Sequence, residues 1–344
     1  MTKSRDILGP YRLTRLIRMG STCQVFEAVD MTDQKRYALK VLRPDHRNNK
    51  AEISSLRHEF EVAKNLSHKN LIRIFKFETE TELPYLVLEL FSELNMKQAL
   101  RRGPDSLAFM LDKILEQCVE SLYYLHSKGF VHCDVKPDNF LVSRDGEVRL
   151  IDFTISQKIA KGIARLFRFG SGQVQGTRSY MSPEQIRGEG LDPRSDIYSL
   201  GCVLYELVTG KPPFTGESPN DLLNKHISAP IPSPLVINDN VTPDYAALVR
   251  KMMSKRADQR PESMWDVLKL VRGTKIFKKP PRVPDRSIFD DFPTAGRIDS
   301  PEQAEGRTPT KSQDKPTDSQ EKPTNSPEKN EGQGEGKSQG DDVK

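Results

Sequence analysis

His132-Cys133-Asp134-Val135-Lys136-Pro137-Asp138-Asn139 places a carboxylate, an ammonium two residues on and a carboxamide five residues on within one short stretch. The three converge in a tight loop ahead of a strand, Phe140 to Ser143. Transfer of a phosphoryl group to a hydroxyl needs such a set. A carboxylate accepts or orients the hydroxyl proton, an ammonium offsets charge on the transferring group, and an amide oxygen binds Mg²⁺. An Asp145-Gly146 turn joins that strand to a second, Val148 to Ile151. The second strand ends in Ile151-Asp152-Phe153 and so offers another hard oxygen ligand. Alone, Asp152 would be an ordinary strand-end carboxylate; behind this loop it reads as a metal ligand.

Upstream of the loop the pattern is strand-rich. Tyr11 to Ile17, Gln24 to Val29 and Arg36 to Leu42 alternate or carry β-branched residues, and turn residues separate them. Glu52 to Leu66 carries Leu56, Phe60, Ala63 and Leu66 at helical spacing, and the strand pair Leu71 to Phe77 and Tyr85 to Leu90 follows. After Glu93 the pattern turns helical. Leu107 to His126 bears a stripe of Met110, Ile114, Cys118, Leu122 and Leu125, and Gly129 stops it. Past a long polar loop, helices are expected at Asp196 to Leu207, Asn220 to Lys225, Tyr245 to Met253 and Ser263 to Leu270. There is no internal repeat.

These residues resemble the catalytic loop and metal-binding motif of eukaryotic-like Ser/Thr protein kinases, and are most like the soluble bacterial members. The resemblance runs from about Tyr11 to Gly273 and implies an α+β, bilobal protein kinase fold. That fold has a small antiparallel-sheet N-lobe with one helix and a larger, mainly helical C-lobe. It implies transfer of the ATP γ-phosphoryl group to protein Ser/Thr hydroxyls, with Mg²⁺ or Mn²⁺ as the metal. By the same resemblance Asp134 and Lys136 are catalytic, and Asn139 and Asp152 hold the metal. Tyr37-Ala38-Leu39-Lys40 is similar to the strand whose lysine contacts the α- and β-phosphates, and Glu59 sits where the family's helix glutamate holds that lysine. Val25 and Ala38 cover the adenine from above and Leu141 from below. The backbone of Glu89 and Phe91 reads its edge, Leu88 guards the back pocket and Gly20 lies over the phosphates. Gly176-Thr177-Arg178-Ser179-Tyr180-Met181-Ser182-Pro183-Glu184 looks like the end of an activation segment. There Thr177 bonds near Asp134 and Lys136, and Glu184 pairs with Arg260. Asp196 begins the helix that anchors the catalytic loop.

Three positions depart from the family pattern. The glycine-rich loop reads Arg18, Met19, Gly20, Ser21, Thr22, Cys23, Gln24, Val25, so only its middle glycine survives. A stiffer or bulkier lid, with weaker or slower nucleotide handling, is the expectation. Cys133 replaces the arginine that gathers a phosphorylated loop residue, and cysteine cannot do this. Phosphorylation at Ser156, Ser171, Thr177 or Ser179 is therefore not expected to be an obligatory switch. Thr154 replaces the glycine after Asp152-Phe153, and its β-branch restricts the backbone against a flip to an inactive arrangement. Cys23 and Cys133 could be oxidisable, but small unreactive side chains are the preferred reading.

Composition fits one large domain with a tail. Residues 1–10 read as an extension, 11–273 as the kinase domain and 274–344 as a Pro-rich linker and polar tail. From Pro301 on, only Ala304 and Val343 are apolar, too little to offset conformational entropy, so disorder is expected there. The formal charge of +5 divides into 7 basic against 10 acidic residues from 301 onward and 46 against 38 before it. That mild basic excess, with no dense basic run interleaved with aromatics, argues against nucleic acid as the main ligand. Four scattered cysteines fit free thiols in a reducing compartment. No charged-then-apolar leader opens the chain, and no apolar run approaches the roughly 20 residues of a bilayer span. A soluble cytoplasmic protein is expected, without a membrane partner. Ser/Thr-bearing proteins, this chain itself included, are the expected substrates; the oligomeric state is open.

Within the loop, Lys158, Lys161, Arg165 and Arg168 alternate with Ile159, Ile163, Leu166 and Phe167, which reads equally as an amphipathic helix or a solvated basic loop. Ile288, Phe289 and Phe292 are apolar among acidic neighbours, and Ser300, Thr308 and Ser326 each precede proline as candidate phosphoacceptors. Two other functions compete. A nucleotide-binding scaffold is favoured by the eroded glycine loop and Thr154, and opposed by Lys40, Glu59, Asp134, Asn139 and Asp152. A small-molecule phosphotransferase is opposed by Lys136 and by Ser182-Pro183-Glu184.

Overall fold

A computed structural model describes residues 6–159 and 178–283. The chain divides into Met1–Asp299 and Ser300–Lys344, and all described residues belong to the first unit. The basic–apolar alternation beyond Ile159, Ser171, Thr177 and the tail residues from Ile288 onward lie outside the described residues.

The first lobe is an antiparallel sheet of β1 (Ile7–Leu8), β2 (Tyr11–Met19), β3 (Cys23–Asp30), β4 (Arg36–Leu42), β5 (Ile74–Glu78) and β6 (Tyr85–Leu88). Their spatial order is β1-β2-β3-β4-β6-β5. Alternation sets the faces. Leu39 and Val41 pack with Tyr11, Ala28, Tyr85 and Val87 on one side, while Ala38, Leu42, Leu86 and Leu88 join the main core on the other. Helix α1 (Lys50–Ala63) begins where Asn49 Oδ1 accepts the Ala51 N–H at 3.0 Å, and it buries Leu56, Glu59, Val62 and Ala63. β5 starts three residues later than the apolar run suggests. Leu71 and Ile72 turn to the second lobe instead, where Ile72 N donates to Leu150 O at 2.9 Å and Leu150 N to Asn70 O at 2.8 Å.

The second lobe opens with β7 (Leu94–Asn95), α2 (Met96–Leu100), α3 (Asp105–Ala108) and α4 (Leu111–Ser127). The single helix expected from Leu107 is broken at Met110, whose φ of −114° and ψ of 8° are not helical. The buried stripe continues across the break, which is why spacing alone did not reveal it. Strands β8 (Phe130–Val131), β9 (Phe140–Val142), β10 (Val148–Leu150) and β11 (Gln157–Lys158) frame the catalytic loop, with β9 central between β10 and β7.

Four helices then start on a cap-proline pair: α5 (Pro183–Ile186), α6 (Pro193–Thr209), α7 (Pro219–Ser228) and α8 (Pro243–Met252). Their caps are Ser182, Asp192, Ser218 and Thr242, each accepting a backbone N–H within its own first turn. α6 is buried from Ser195 to Thr209 and forms the lobe's axis, ending on Gly210 at φ 74°. Helix α9 (Met264–Gly273) packs on α4. Packing runs past Gly273, since Ile276 and Phe277 are buried and Ile276 O accepts the Thr242 N–H at 2.9 Å. Among the described residues no helix is long and apolar enough to cross a membrane.

α7 is tied to the axis by Tyr198, whose hydroxyl lies 3.0 Å from His226 Nδ1, and the Phe214 ring lies 4.9 Å from the same imidazole. Burial, with the nearby Lys255 charge, lowers the His226 pKa to about 4 from an ordinary 6.5. Its proton is disfavoured in the fold, so the neutral form's stability is complete above about pH 6.5 and drains away as pH falls toward 4. Chemical denaturation at pH 7 and pH 4 is expected to show roughly 3 kcal/mol of loss from this group, and His226→Gln should flatten that part of the profile.

Candidate active site

Eleven of the thirteen residues given catalytic, metal or nucleotide roles from sequence line one cavity of about 470 Å³ between the lobes: Gly20, Val25, Ala38, Lys40, Glu59, Leu88, Glu89, Phe91, Asp134, Leu141 and Asp152. The other two, Lys136 and Asn139, are bonded to Asp134 from behind. Lys136 Nζ lies 2.6 Å from Asp134 Oδ2, and Asn139 Nδ2 donates to Asp134 O at 2.9 Å and to Oδ2 at 3.0 Å. Asn139 is fully buried, and its Oδ1 has no hydrogen-bond partner among the described residues. An amide oxygen left in that state is costly unless a ligand completes it.

The apolar half comes from the sheet and from β9. Val25 pairs with Lys40 across β3 and β4, and Ala38 with Leu88 across β4 and β6. Leu141 reaches the cavity from β9 in the other lobe. At the crossing, Glu89 donates its N–H to Arg73 O at 2.9 Å, and the Arg149 guanidinium lies 4.9 Å from the Phe91 ring centroid.

At the polar end charges are concentrated. Lys40 Nζ meets Glu59 Oε2 at 2.7 Å and Asp152 Oδ1 at 3.3 Å. Burial by itself would lower the Lys40 pKa, but Asp152 and Glu59 override it and hold the ammonium well above its ordinary value. Burial raises Glu59 against the pull of Lys40. Asp152 goes the other way: burial opposes its charge, yet Lys40 and the Thr154 hydroxyl hold its carboxylate well below the usual range. Asp152 sits at φ 69°, a left-handed conformation rare outside glycine, and Phe153 behind it is buried edge-on to His132 at 5.7 Å.

The catalytic loop is held from below by Asp196 near the start of α6. Asp196 Oδ2 accepts the His132 N–H at 2.7 Å, and Oδ1 accepts the Cys133 N–H at 2.9 Å. Glu184 and Arg260 form a two-point pair at 2.6 and 2.9 Å, buried beside α5, as the resemblance implies. Residues 11–270 match the family described as Protein kinase domain. The chain belongs to the protein kinase family. Its bilobal α+β fold is the one that the family implies. It is similar to a probable serine/threonine-protein kinase of Streptomyces coelicolor, at 32% identity over 76% of this chain and 39% of that protein. It is also similar to the serine/threonine-protein kinase PknB of Mycolicibacterium smegmatis, at 34% over 76% of this chain and 42% of that protein. A probable serine/threonine-protein kinase PknB of Bifidobacterium longum is 29% identical over 88% of this chain and 44% of that protein. The chain thus spans about two fifths of the length of these curated relatives.

In this kinase domain the departures from pattern acquire a geometry. Gly20 closes the β2–β3 turn, donating its N–H to Cys23 O at 2.8 Å, and a Cβ there would lie 2.8 Å from that oxygen. The surviving glycine is therefore the one that the turn itself requires. Arg18 stays exposed at the cavity mouth, and Cys23 is half-buried in its wall. Cys133 adopts φ 68°, its Sγ turns inward to Val131 O at 3.5 Å, and its carbonyl accepts from Gln185 Nε2 at 2.8 Å. Spacing gave no hint of Gln185. Ser156 is 1% exposed, with its Oγ donating to His132 O at 3.2 Å, which removes it from the accessible hydroxyls.

Burial pushes the Cys133 thiol well above its ordinary pKa, and burial raises Cys23 against the opposing Lys40 charge. Both findings fit the unreactive reading. Alkylation of the native protein at pH 8, followed by mass spectrometry, is expected to mark Cys23 slowly. Cys118, Cys133 and Cys202 should be marked only after unfolding. Rapid labelling of Cys133 would contradict its placement.

Proposed function

We propose that this chain is an ATP-dependent Ser/Thr protein kinase in which Asp134 orients the acceptor hydroxyl and takes its proton, while Lys136 offsets charge on the transferring group. The observation that carries this reading is the convergence of Lys40, Glu59, Asp134 and Asp152 on one cavity, with Asn139 Oδ1 buried behind it and unpartnered among the described residues. ATP would supply the phosphoryl group, and Mg²⁺ or Mn²⁺ would neutralise its charge. The donor set fits that metal. Among the described residues no three His, Cys, Asp or Glu side chains cluster to cage an ion, and Mg²⁺ is ordinarily bound by one or two protein ligands plus phosphate oxygens. Asn139 and Asp152 would hold it, and Lys40, positioned by Glu59, would meet the phosphates. Val25, Ala38 and Leu141 would sandwich the base against the backbone of Glu89 and Phe91.

Proteins bearing Ser or Thr are the proposed substrates, this chain among them, and the curated relatives are named as serine/threonine-protein kinases. Four free cysteines support a reducing, cytoplasmic setting. The scaffold alternative rests on the eroded glycine loop and Thr154, and against it Lys40, Glu59, Asp134 and Asp152 are all present on the cavity wall.

Phosphate transfer from labelled ATP with Mg²⁺ or Mn²⁺ tests the reading. Asp134→Asn is expected to lower kcat by about 10²–10⁴-fold with nucleotide binding retained. Wild-type protein that binds ATP but transfers nothing to itself or to generic acceptors would defeat it. Cys133, turned inward to Val131 O, offers no guanidinium of its own to a loop phosphate. Phosphatase-treated enzyme and Ser171→Ala, Thr177→Ser and Ser179→Ala variants should keep rates within about threefold of wild type in the same assay. A single phosphate whose removal abolishes transfer would refute this mode of control.

A further inference from the structure

Thr154 stands where the family has glycine, and its side chain joins the charge network directly. Its Oγ1 lies 2.5 Å from Asp152 Oδ1, 3.2 Å from Glu59 Oε2 and 3.4 Å from Lys40 Nζ. A hydroxyl has one proton and two lone pairs. Here it accepts from the Lys40 ammonium and presents its proton to two carboxylates that would otherwise face each other with only the lysine between them. Such a donor favours both charged forms and relieves part of their repulsion. The β-branch leaves few χ1 states, so little side-chain freedom is lost in aiming the hydroxyl.

Two residues on, a second tie runs parallel to the first. His58 Nε2 lies 2.8 Å from Ser156 O, and His58 and Glu59 are neighbours on α1. Ser156 Oγ in turn donates to His132 O in the catalytic loop at 3.2 Å. Residues 154–156 therefore tie α1 in the first lobe, remote in sequence, both to the adjoining Asp152 and to the loop that carries Asp134. Thr22, Ser21 and the other hydroxyls along the cavity wall make no comparable junction among the described residues.

We propose that Thr154 is a positioning residue that keeps α1 and Asp152 docked in the transfer-competent arrangement, so that the assembled site is the resting state of this kinase and no loop phosphate is required to reach it. This deepens the kinase reading above and rests on it. Cys133 and Thr154 then form a matched pair of departures. One removes the cation that would gather a loop phosphate, and the other supplies, from the segment's own first residues, a tie that needs no phosphate.

The test uses the full chain and three variants: Thr154→Val keeps the shape without the hydroxyl, Thr154→Ser keeps the hydroxyl, and Thr154→Gly restores the family residue. Amide hydrogen exchange of nucleotide-free protein is measured first, because it does not depend on activity. Thr154→Val and Thr154→Gly are expected to exchange the Lys50–Ala63 amides about tenfold faster, with Thr154→Ser within about twofold of wild type. Melting temperatures close to wild type verify that each variant folds. In transfer assays kcat should fall about tenfold for the valine and glycine variants and recover with serine, while KM for ATP changes less than kcat. Should the valine variant fail to fold, the glycine and serine pair decides. Wild-type exchange in Thr154→Gly, or faster exchange with unchanged kcat, overturns the proposal. If no protein, wild type included, transfers phosphate, the kinase reading fails and the exchange result alone decides whether Thr154 docks α1.

Discussion

A buried carboxylate at the start of the C-lobe's central helix fixes the loop on which the site is built. Asp196 is 1% exposed and receives the N–H groups of both His132 and Cys133. Charge-assisted bonds of this kind are about twice as strong as neutral ones. They offset the cost of holding Cys133 at a left-handed φ of 68°, a conformation that non-glycine residues rarely adopt. With that peptide pinned, Asp134 projects into the cavity, and Asn139 and Lys136 fold back onto it. His132 is held against Ile151 O and Phe153, which sets the strand end that delivers Asp152.

From that base the electrostatics of the cleft follow. One ammonium serves two carboxylates, and the balance comes out differently for each. Burial opposes the charge of both: at Glu59 it prevails and raises the pKa, whereas at Asp152 it is outweighed by Lys40 and by the Thr154 hydroxyl, which hold the carboxylate low. The same ammonium thus leaves one cavity carboxylate with a raised pKa and the other with a lowered one. The price is a site whose members depend on each other, so that deletions within it should not add.

Much of this was legible along the chain. Alternation in Arg36 to Leu42 places Lys40 and Ala38 on the cavity face, and the Asp-x-Lys and Asn spacing after His132 points to a phosphoryl-transfer loop. Helix existence was also readable, though the break at Met110 was hidden because the apolar stripe continues through it. The start of β5 was misplaced for a related reason. Leu71 and Ile72 look like strand residues, and they are extended, but their partners are Leu150 and Asn70 in the other lobe. The reach of Gln185 to Cys133 O and the bridging role of Thr154 left no local signal. A side chain that bonds across 95 residues, as Thr154 does to Glu59, has no periodicity to betray it.

The sequence by itself determined the chemical inventory: which carboxylates, amides, ammonium groups and apolar side chains stand where, and that Cys133 cannot hold a loop phosphate. These are properties of residue type and near-neighbour spacing. Only the tertiary structure decided what the departing side chains touch. Whether Thr154 merely stiffens the backbone or ties two carboxylates together depends on the approach of α1, which long-range packing sets. Whether Cys133 is a reactive thiol or an inert one depends on which way it turns at φ 68°. Spacing along a chain fixes what is available; distances of about 3 Å between residues remote in sequence fix what each one does.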